Sequence, residues 1–356
     1  MPSAGFVPRR LPEGEESLFV RAARFYRSSG DRHVQCTLCP RACALHPGQR
    51  GICGVRENRG GTLVTLVYGR VSSWHVDPVE KKPLFHFLPG TTAFSIATAG
   101  CNVHCRFCQN WELAQARPEE VTAESMPPSR VAALARHFHC PTIAYTYTEP
   151  SVFAEFAMDA ADAGHEAGLR SIAISNGFMQ HDALVEAWGR MDAVKIDLKS
   201  MSESFYAKVV GGALKPVLDS LLSLRSMGKW LEVVYLALPT LNDNEDELRS
   251  LARWIKTNLG AEVPLHFTRF HPDYLMRNLP ATPLQTLERA KAIADAEGLQ
   301  YVYIGNVPGH PAQNTYCPGC GELLVERRGL AAVRVLIRKN GACPFCARAI
   351  PGIWEV

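Results

Sequence analysis

Several absences narrow the chain before any motif is considered. No apolar run reaches the roughly 18–20 residues of a membrane span. The opening stretch MPSAGFVPRRLPEGEE has two arginines but no apolar h-region, so no secretory signal is expected. A formal net charge of +3 over 356 residues gives no electrostatic reason to expect nucleic acid or an anionic membrane as a partner. There is no low-complexity tract and no glycine-rich phosphate loop. What remains is the composition of a soluble globular enzyme, expected in the cytoplasm. The length suits one large core with a small appendage, or two domains.

Cysteine is what the chain has in excess. Its twelve cysteines are partitioned rather than scattered. Four stand near the start (Cys36, Cys39, Cys43, Cys53), three in GCNVHCRFCQNW (Cys101, Cys105, Cys108), four near the end (Cys317, Cys320, Cys343, Cys346), and Cys140 is alone. A core of this size needs no disulfide staples, so in a reducing compartment clustered spacings read as metal sites. Cys140, before Pro141 at a strand start, reads as a small buried hydrophobe.

Between the outer sets the pattern alternates. Strand-like runs at 93–100, 141–147, 169–177, 192–198, 230–238, 263–270 and 299–306 are separated by helical stretches near 128–138, 151–168, 181–190, 215–228, 243–259 and 283–298. This predicts β-α units around a parallel sheet, an α/β fold forming a full or partial barrel. The run GTLVTLVYGRVSSWHVDP ahead of it reads as a hairpin or short strands. The expected organisation is an N-terminal region at 1–90 with a Cys-rich module at 31–60, a barrel core at 91–310, and a C-terminal module at 311–356. In such barrels chemistry gathers where strands end. Polar residues crowd those ends here: Glu149, Asn176, Asp197 with Lys199, Asn242 with Asp243, and His271 with Asp273.

Three cysteines in a C-x3-C-x2-C pattern suit a four-iron, four-sulfur cluster with one iron left for an outside ligand. The bland alternatives are three buried thiols, or a zinc site completed by His104. With Phe107 just before the third cysteine, C-x3-C-x-aromatic-C after a first strand resembles the radical S-adenosylmethionine (SAM) superfamily. The stretches CTLCPRACALHPGQRGICGVR, CRFCQNWE, YTYTEP, KIDLKS, WLEVVYLALPTLND, RFHPDY and YVYIGNVPG…NTYCPGCG occur in that order. Together they resemble the radical SAM member of the AmmeMemoRadiSam group, relatives of the pyruvate formate-lyase activating enzymes.

The resemblance implies that Cys101, Cys105 and Cys108 ligate a 4Fe-4S cluster whose open iron binds SAM, and that an electron from it yields a 5′-deoxyadenosyl radical. It implies an electron donor of flavodoxin or ferredoxin type and, as partners, Memo-like and AMMECR-like proteins. YTE at 147–149 takes the place of the superfamily's GGE, with Tyr147 and Thr148 where glycines are usual, so Thr148 or Glu149 is expected to contact SAM. Asn176, Asp197, Lys199 and His271 match positions facing SAM or substrate. Each has an ordinary reading beside it. Glu149 stands at a helix start, Asp197 and Lys199 share a strand face, Asn176 precedes Gly177 in a turn, and His271 lies in a loop. His266, mid-strand, reads as a core or rim group, and LPTLNDNEDEL as a helix start capped by Asn or Asp.

The outer sets differ in regularity. Cys317-x2-Cys320 and Cys343-x2-Cys346, with LLVERRGLAAVRVLI between them for strands, carry the two-knuckle signature of a zinc ribbon. The first set, C-x2-C-x3-C-x9-C, admits zinc or an auxiliary iron–sulfur cluster, with Arg41 and Arg50 placed to lower thiol pKa values. The expected function is a radical SAM enzyme of unidentified substrate, or alternatively a glycyl-radical-enzyme activase. A reading of another class, a zinc-ribbon binding module, predicts a colourless protein.

Overall fold

The computed structural model of the chain describes residues 18–355; residues 1–17 and 356, and with them the expectation about a secretory leader, lie outside it. The centre is one eight-stranded sheet. Its strands are β1 (Ser73–Pro78), β2 (Thr92–Ala97), β3 (Thr142–Tyr145), β4 (Arg170–Ser175), β5 (Ala193–Asp197), β6 (Trp230–Ala237), β7 (Leu265–Arg269) and β8 (Val302–Gly305). The strands lie side by side in chain order. All neighbours from β2 to β8 are parallel, with pairs such as Ile96↔Tyr145 and Ile196↔Val233, and β1 runs antiparallel to β2. The edges are β1 and β8, so the barrel is partial.

Helices α1 (Pro128–His137), α2 (Ala154–Glu166), α3 (His181–Trp188), α4 (Leu214–Ser226), α5 (Glu245–Asn258) and α6 (Leu284–Ala296) fill the crossovers. Strands covered on both faces should be apolar throughout rather than alternating. The four residues of β3 are all buried, as are Leu265–Thr268 of β7. Helix α5 begins at Asn244, whose side chain accepts the Glu247 N–H, the cap expected from NDNEDEL. Cys140 is buried against the core, as expected of a small hydrophobe.

The sheet begins at Ser73, ahead of the boundary at 91 that the alternation suggests, because an antiparallel edge strand has no helix after it to announce it. The run 61–78 also does not fold back on itself. Thr62–Thr65 pairs with Arg56–Arg59 and Arg70–Val71 with Glu124–Ser125, so that run serves three different sheets. Cys36, Leu38 and Cys39 share a continuous buried cluster with the barrel. The C-terminal segment docks at the other side, where Phe85, Tyr301 and Tyr303 pack with Leu324, Val325 and Ile350. Its strands are β9 (Thr315–Tyr316), β10 (Leu323–Arg328) and β11 (Ala331–Val335) in one antiparallel sheet. Among the described residues no helix is long and apolar enough to cross a membrane.

Candidate functional site

The loop carrying Cys101, Cys105 and Cys108 leaves the C-terminal end of β2 and is held on three sides. The Gly100 N–H donates to Leu113 O at 3.1 Å, His104 N–H to Val210 O at 3.0 Å, and Arg106 N–H to Val209 O at 2.9 Å. The last two acceptors belong to a π-helical turn, Tyr206–Val210, that ends on Gly211 at φ +70°. A π-turn offsets carbonyls that an α-turn would consume, and such turns concentrate at functional sites. Gly100, at φ +97°, allows a close approach. A Cβ there would stand 2.6 Å from Val55 Cγ1 and 2.7 Å from Cys53 O.

The three thiols suit a polynuclear cluster. Cys105 is buried and the other two half-buried. Burial raises the Cys101 and Cys108 thiols, and the nearby backbone N–H groups of Val103 and Asn110 work against it. Asn176 Nδ2 donates to Cys101 Sγ at 3.7 Å. Burial pushes the Cys105 thiol up to about 12, with Lys199 opposing it, so a bound cation is what would keep this sulfur ionised. Among the described residues, Cys317, Cys320, Cys343 and Cys346 form the one set of three or more His, Cys, Asp or Glu donors lying within 4.8 Å of one another. The loop sulfurs are therefore spread wider than a single ion's shell. Soft thiolates at that spread fit an iron–sulfur cluster better than one zinc. His104, the alternative zinc ligand, is exposed and pairs through Nδ1 with Gln115 Oε1.

The residues expected at SAM divide into groups. Asn176 joins the loop directly, since Nδ2 also bonds Asn102 Oδ1 at 2.8 Å and its Oδ1 accepts Phe178 N–H. Asp197 lies between two ammonium groups, Lys195 and, at 3.4 Å, Lys199. Burial would raise this carboxyl, but the two lysines outweigh it and hold it below the usual range. Lys199 Nζ sits 5.7 Å from the Phe107 ring centre, beside the cluster loop. Thr148 and Glu149 are engaged inward. Thr148 Oγ1 donates to Thr98 O at 2.8 Å, while the Glu149 carboxylate accepts from Ser151 N–H, Ser175 Oγ and Asn176 N–H at 2.7–3.0 Å. Glu149 thus ties the end of β3 to the end of β4. His271 is exposed, beyond β7, and His266 is buried with Nε2 2.7 Å from Glu232.

Other residues at the site were not expected to face SAM or substrate. Tyr147, at φ +65°, holds a left-handed backbone that a non-glycine residue adopts only at a cost. Its hydroxyl bonds Asp77, which also pairs with Lys82 at 2.5 Å, and Lys82 Nζ lies 4.4 Å from the Tyr147 ring centre. Asn110 Nδ2 holds Tyr147 O at 2.8 Å. Trp111 stacks on Tyr274 with ring centres 5.0 Å apart, bringing the segment after β7 over the cluster loop. The signal for Tyr147 was its replacement of a glycine; Asp77 and Lys82, about seventy residues away, gave none.

The C-terminal quartet is compact, with Cys317 and Cys346 sulfurs 3.6 Å apart and Cys320 and Cys343 sulfurs 3.7 Å apart. Ligands at a zinc–sulfur distance of 2.3 Å in a tetrahedron would be about 3.8 Å apart. Around the first set, Arg50 is not available to the thiols as expected. It is bound to Glu57 at 2.9 Å and Glu119 at 2.7 Å. The cation facing Cys36 and Cys53 is instead the buried Arg56.

The profile of the Radical SAM superfamily matches residues 95–255. An uncharacterized protein of Methanocaldococcus jannaschii is 46% identical over 308 residues, covering 86% of this chain and 92% of that protein. A pyruvate formate-lyase-activating enzyme of Clostridium pasteurianum is 24% identical over 197 residues, covering 51% of this chain and 81% of the enzyme. Among solved structures, a radical SAM methyltransferase of Sphaerobacter thermophilus aligns with a TM-score of 0.47 at 16% identity, over 61% of this chain and 67% of that one.

Proposed function

Because residues 95–255 form a radical SAM domain, we propose that Cys101, Cys105 and Cys108 hold a 4Fe-4S cluster whose remaining iron binds S-adenosylmethionine. Such a cluster, reduced by one electron, supplies the cleavage of SAM to methionine and a 5′-deoxyadenosyl radical that abstracts hydrogen from a substrate. The observation that carries this reading is the loop geometry: three thiols spread wider than one ion's shell, with the Asn176 amide on Cys101.

The protein's own residues orient and shield. Lys195, Asp197 and Lys199 leave one positive charge uncompensated at the mouth, suited to a carboxylate such as that of SAM. Asn176 fixes Cys101 and reads the same space. Thr148 and Glu149 support it by holding strand ends, and His271 lies at the rim, where substrate would enter. Phe107, Phe205 and the Trp111–Tyr274 stack keep water from the loop.

The ordered motifs favour the AmmeMemoRadiSam group, with a peptide, protein or small-molecule substrate handled beside Memo-like and AMMECR-like proteins. The electron would come from a flavodoxin or ferredoxin type carrier in the cytoplasm. Similarity to an activating enzyme favours a second reading, formation of a glycyl radical on a partner protein. The C-terminal quartet would be a zinc ribbon with a closed, structural shell.

The test is anaerobic reconstitution, reduction and addition of SAM, with 5′-deoxyadenosine as the readout. The parent should turn SAM over and Cys105→Ala should fall to background while remaining folded. A colourless protein holding only zinc, or equal turnover in the variant, would sink the reading.

A further inference from the structure

The molecule carries three cysteine sets, and their geometries can be compared within one chain. The C-terminal quartet is drawn together as ligands of one ion. The N-terminal four are not, although Cys36, Cys39, Cys43 and Cys53 line a single cavity with Arg41 and Asn102. In this they match the loop set of Cys101, Cys105 and Cys108.

A second observation points to a ligand in this cavity. Arg56 is 1% exposed and gives Nη1 to Glu155 at 2.9 Å, yet its Nε and Nη2 have no hydrogen-bond partner. Buried guanidinium N–H groups left without acceptors are costly. A zinc ion would add no acceptor beyond the thiolates, whereas the inorganic sulfides of a cluster would. Gly51 lies at the cavity wall, where an added Cβ would already be 3.7 Å from Cys43 Sγ and 3.8 Å from Cys53 Sγ.

The geometry points to a second polynuclear iron–sulfur cluster held by Cys36, Cys39, Cys43 and Cys53. Its shell is closed by four thiolates, so it binds no SAM. The two loops touch. Gly100 packs on Cys53 O and Val55, Arg41 Nε donates to Asn102 O at 3.0 Å, and Asn102 meets Asn176, which bonds Cys101. The site therefore backs directly onto the one proposed for SAM, but its existence does not depend on that site being filled.

The experiment uses the full chain with Cys101, Cys105 and Cys108 all replaced by Ala, reconstituted anaerobically with iron and sulfide beside the parent. Iron, acid-labile sulfide and zinc per chain are measured, with electron paramagnetic resonance after dithionite reduction. The variant should keep about two to four iron with matching sulfide, about one zinc, and a reduced-cluster signal. One iron or none, or zinc rising to about two per chain, would overturn the assignment. A parent that itself holds only the iron retained by the variant would instead defeat the SAM-site reading. Cys36→Ser with Cys53→Ser should lose that same increment of iron while Cys317 to Cys346 keep their zinc; iron unchanged in this variant would also overturn the assignment.

Discussion

At the residue scale, Gly100 shows which of two effects dominates when a glycine is replaced. Gly168 and Gly100 both have positive φ, +75° and +97°, but a Cβ on Gly168 would meet nothing within 4 Å. Gly168→Ala should therefore cost only the left-handed strain, about 1–2 kcal/mol. Gly100→Ala adds a collision with Val55 and with the immovable carbonyl of Cys53, bringing the loss to about 3–4 kcal/mol. Chemical denaturation of the two variants side by side measures the difference. Iron content should fall in Gly100→Ala alone, because the clash lies between two cysteine loops. Equal losses in both variants would mean that the loops are free to move apart.

At the scale of elements, the π-turn Tyr206–Val210 is a support built for the cluster loop, since its Val209 and Val210 carbonyls accept the Arg106 and His104 N–H groups. Deleting Val209 should convert it to an α-turn and withdraw both acceptors, about 2 kcal/mol of loop ordering at about 1 kcal/mol per bond. Far-UV circular dichroism should stay that of the parent while iron retention drops; unchanged iron would show that the turn is incidental. Nothing in SESFYAKVVGG distinguishes a π-turn from an α-helix, because the difference lies in what the turn must reach. The β-α alternation was legible for the opposite reason. Strands buried on both faces and helices amphipathic over ten or more residues impose their periods on local sequence. The cysteine sets were legible because ligand spacing is local too. The pairing of Tyr147 with Asp77 and Lys82 was not, since it joins residues brought together only by β1 lying beside β2. Arg56, rather than Arg50, facing the first set was hidden likewise: which basic residue remains free depends on where Glu57 and Glu119 fall.

At the scale of the whole molecule, the C-terminal segment and the barrel are joined through one buried polar cluster. His86 Nδ1 bonds Pro351 O at 2.7 Å and its Nε2 meets the Tyr303 hydroxyl at 2.6 Å, which in turn reaches Thr315 Oγ1 at 2.9 Å. The Glu232 carboxylate receives the Phe85 and His86 N–H groups and pairs with His266. Arg327 donates to Phe85 O at 2.7 Å. Replacing Cys317 or Cys343 by Ser should loosen this docked module, lowering thermal stability and zinc content while leaving SAM cleavage in the protein that stays folded. Cleavage abolished in a folded variant would give the tail a catalytic role.

The same junction should make the protein acid-sensitive in a defined window. Burial pulls the His86 pKa down to about 4, with Glu232 opposing and Arg327 and His266 adding to the fall, whereas an unfolded histidine titrates near 6.5. Below about pH 6.5 the unfolded chain takes up a proton that the folded one refuses. The stabilisation is therefore complete above that pH and is lost as pH falls through 4, up to about 3 kcal/mol across the interval. Protonation of the thiolates in the proposed metal sites would also destabilise the protein in acid, so the parent alone does not isolate the effect. His86→Asn removes the titrating group, and the difference between its denaturation free energy and the parent's should shrink between pH 7 and pH 4. A difference that stays constant over that range would mean that His86 does not hold the module in its neutral form.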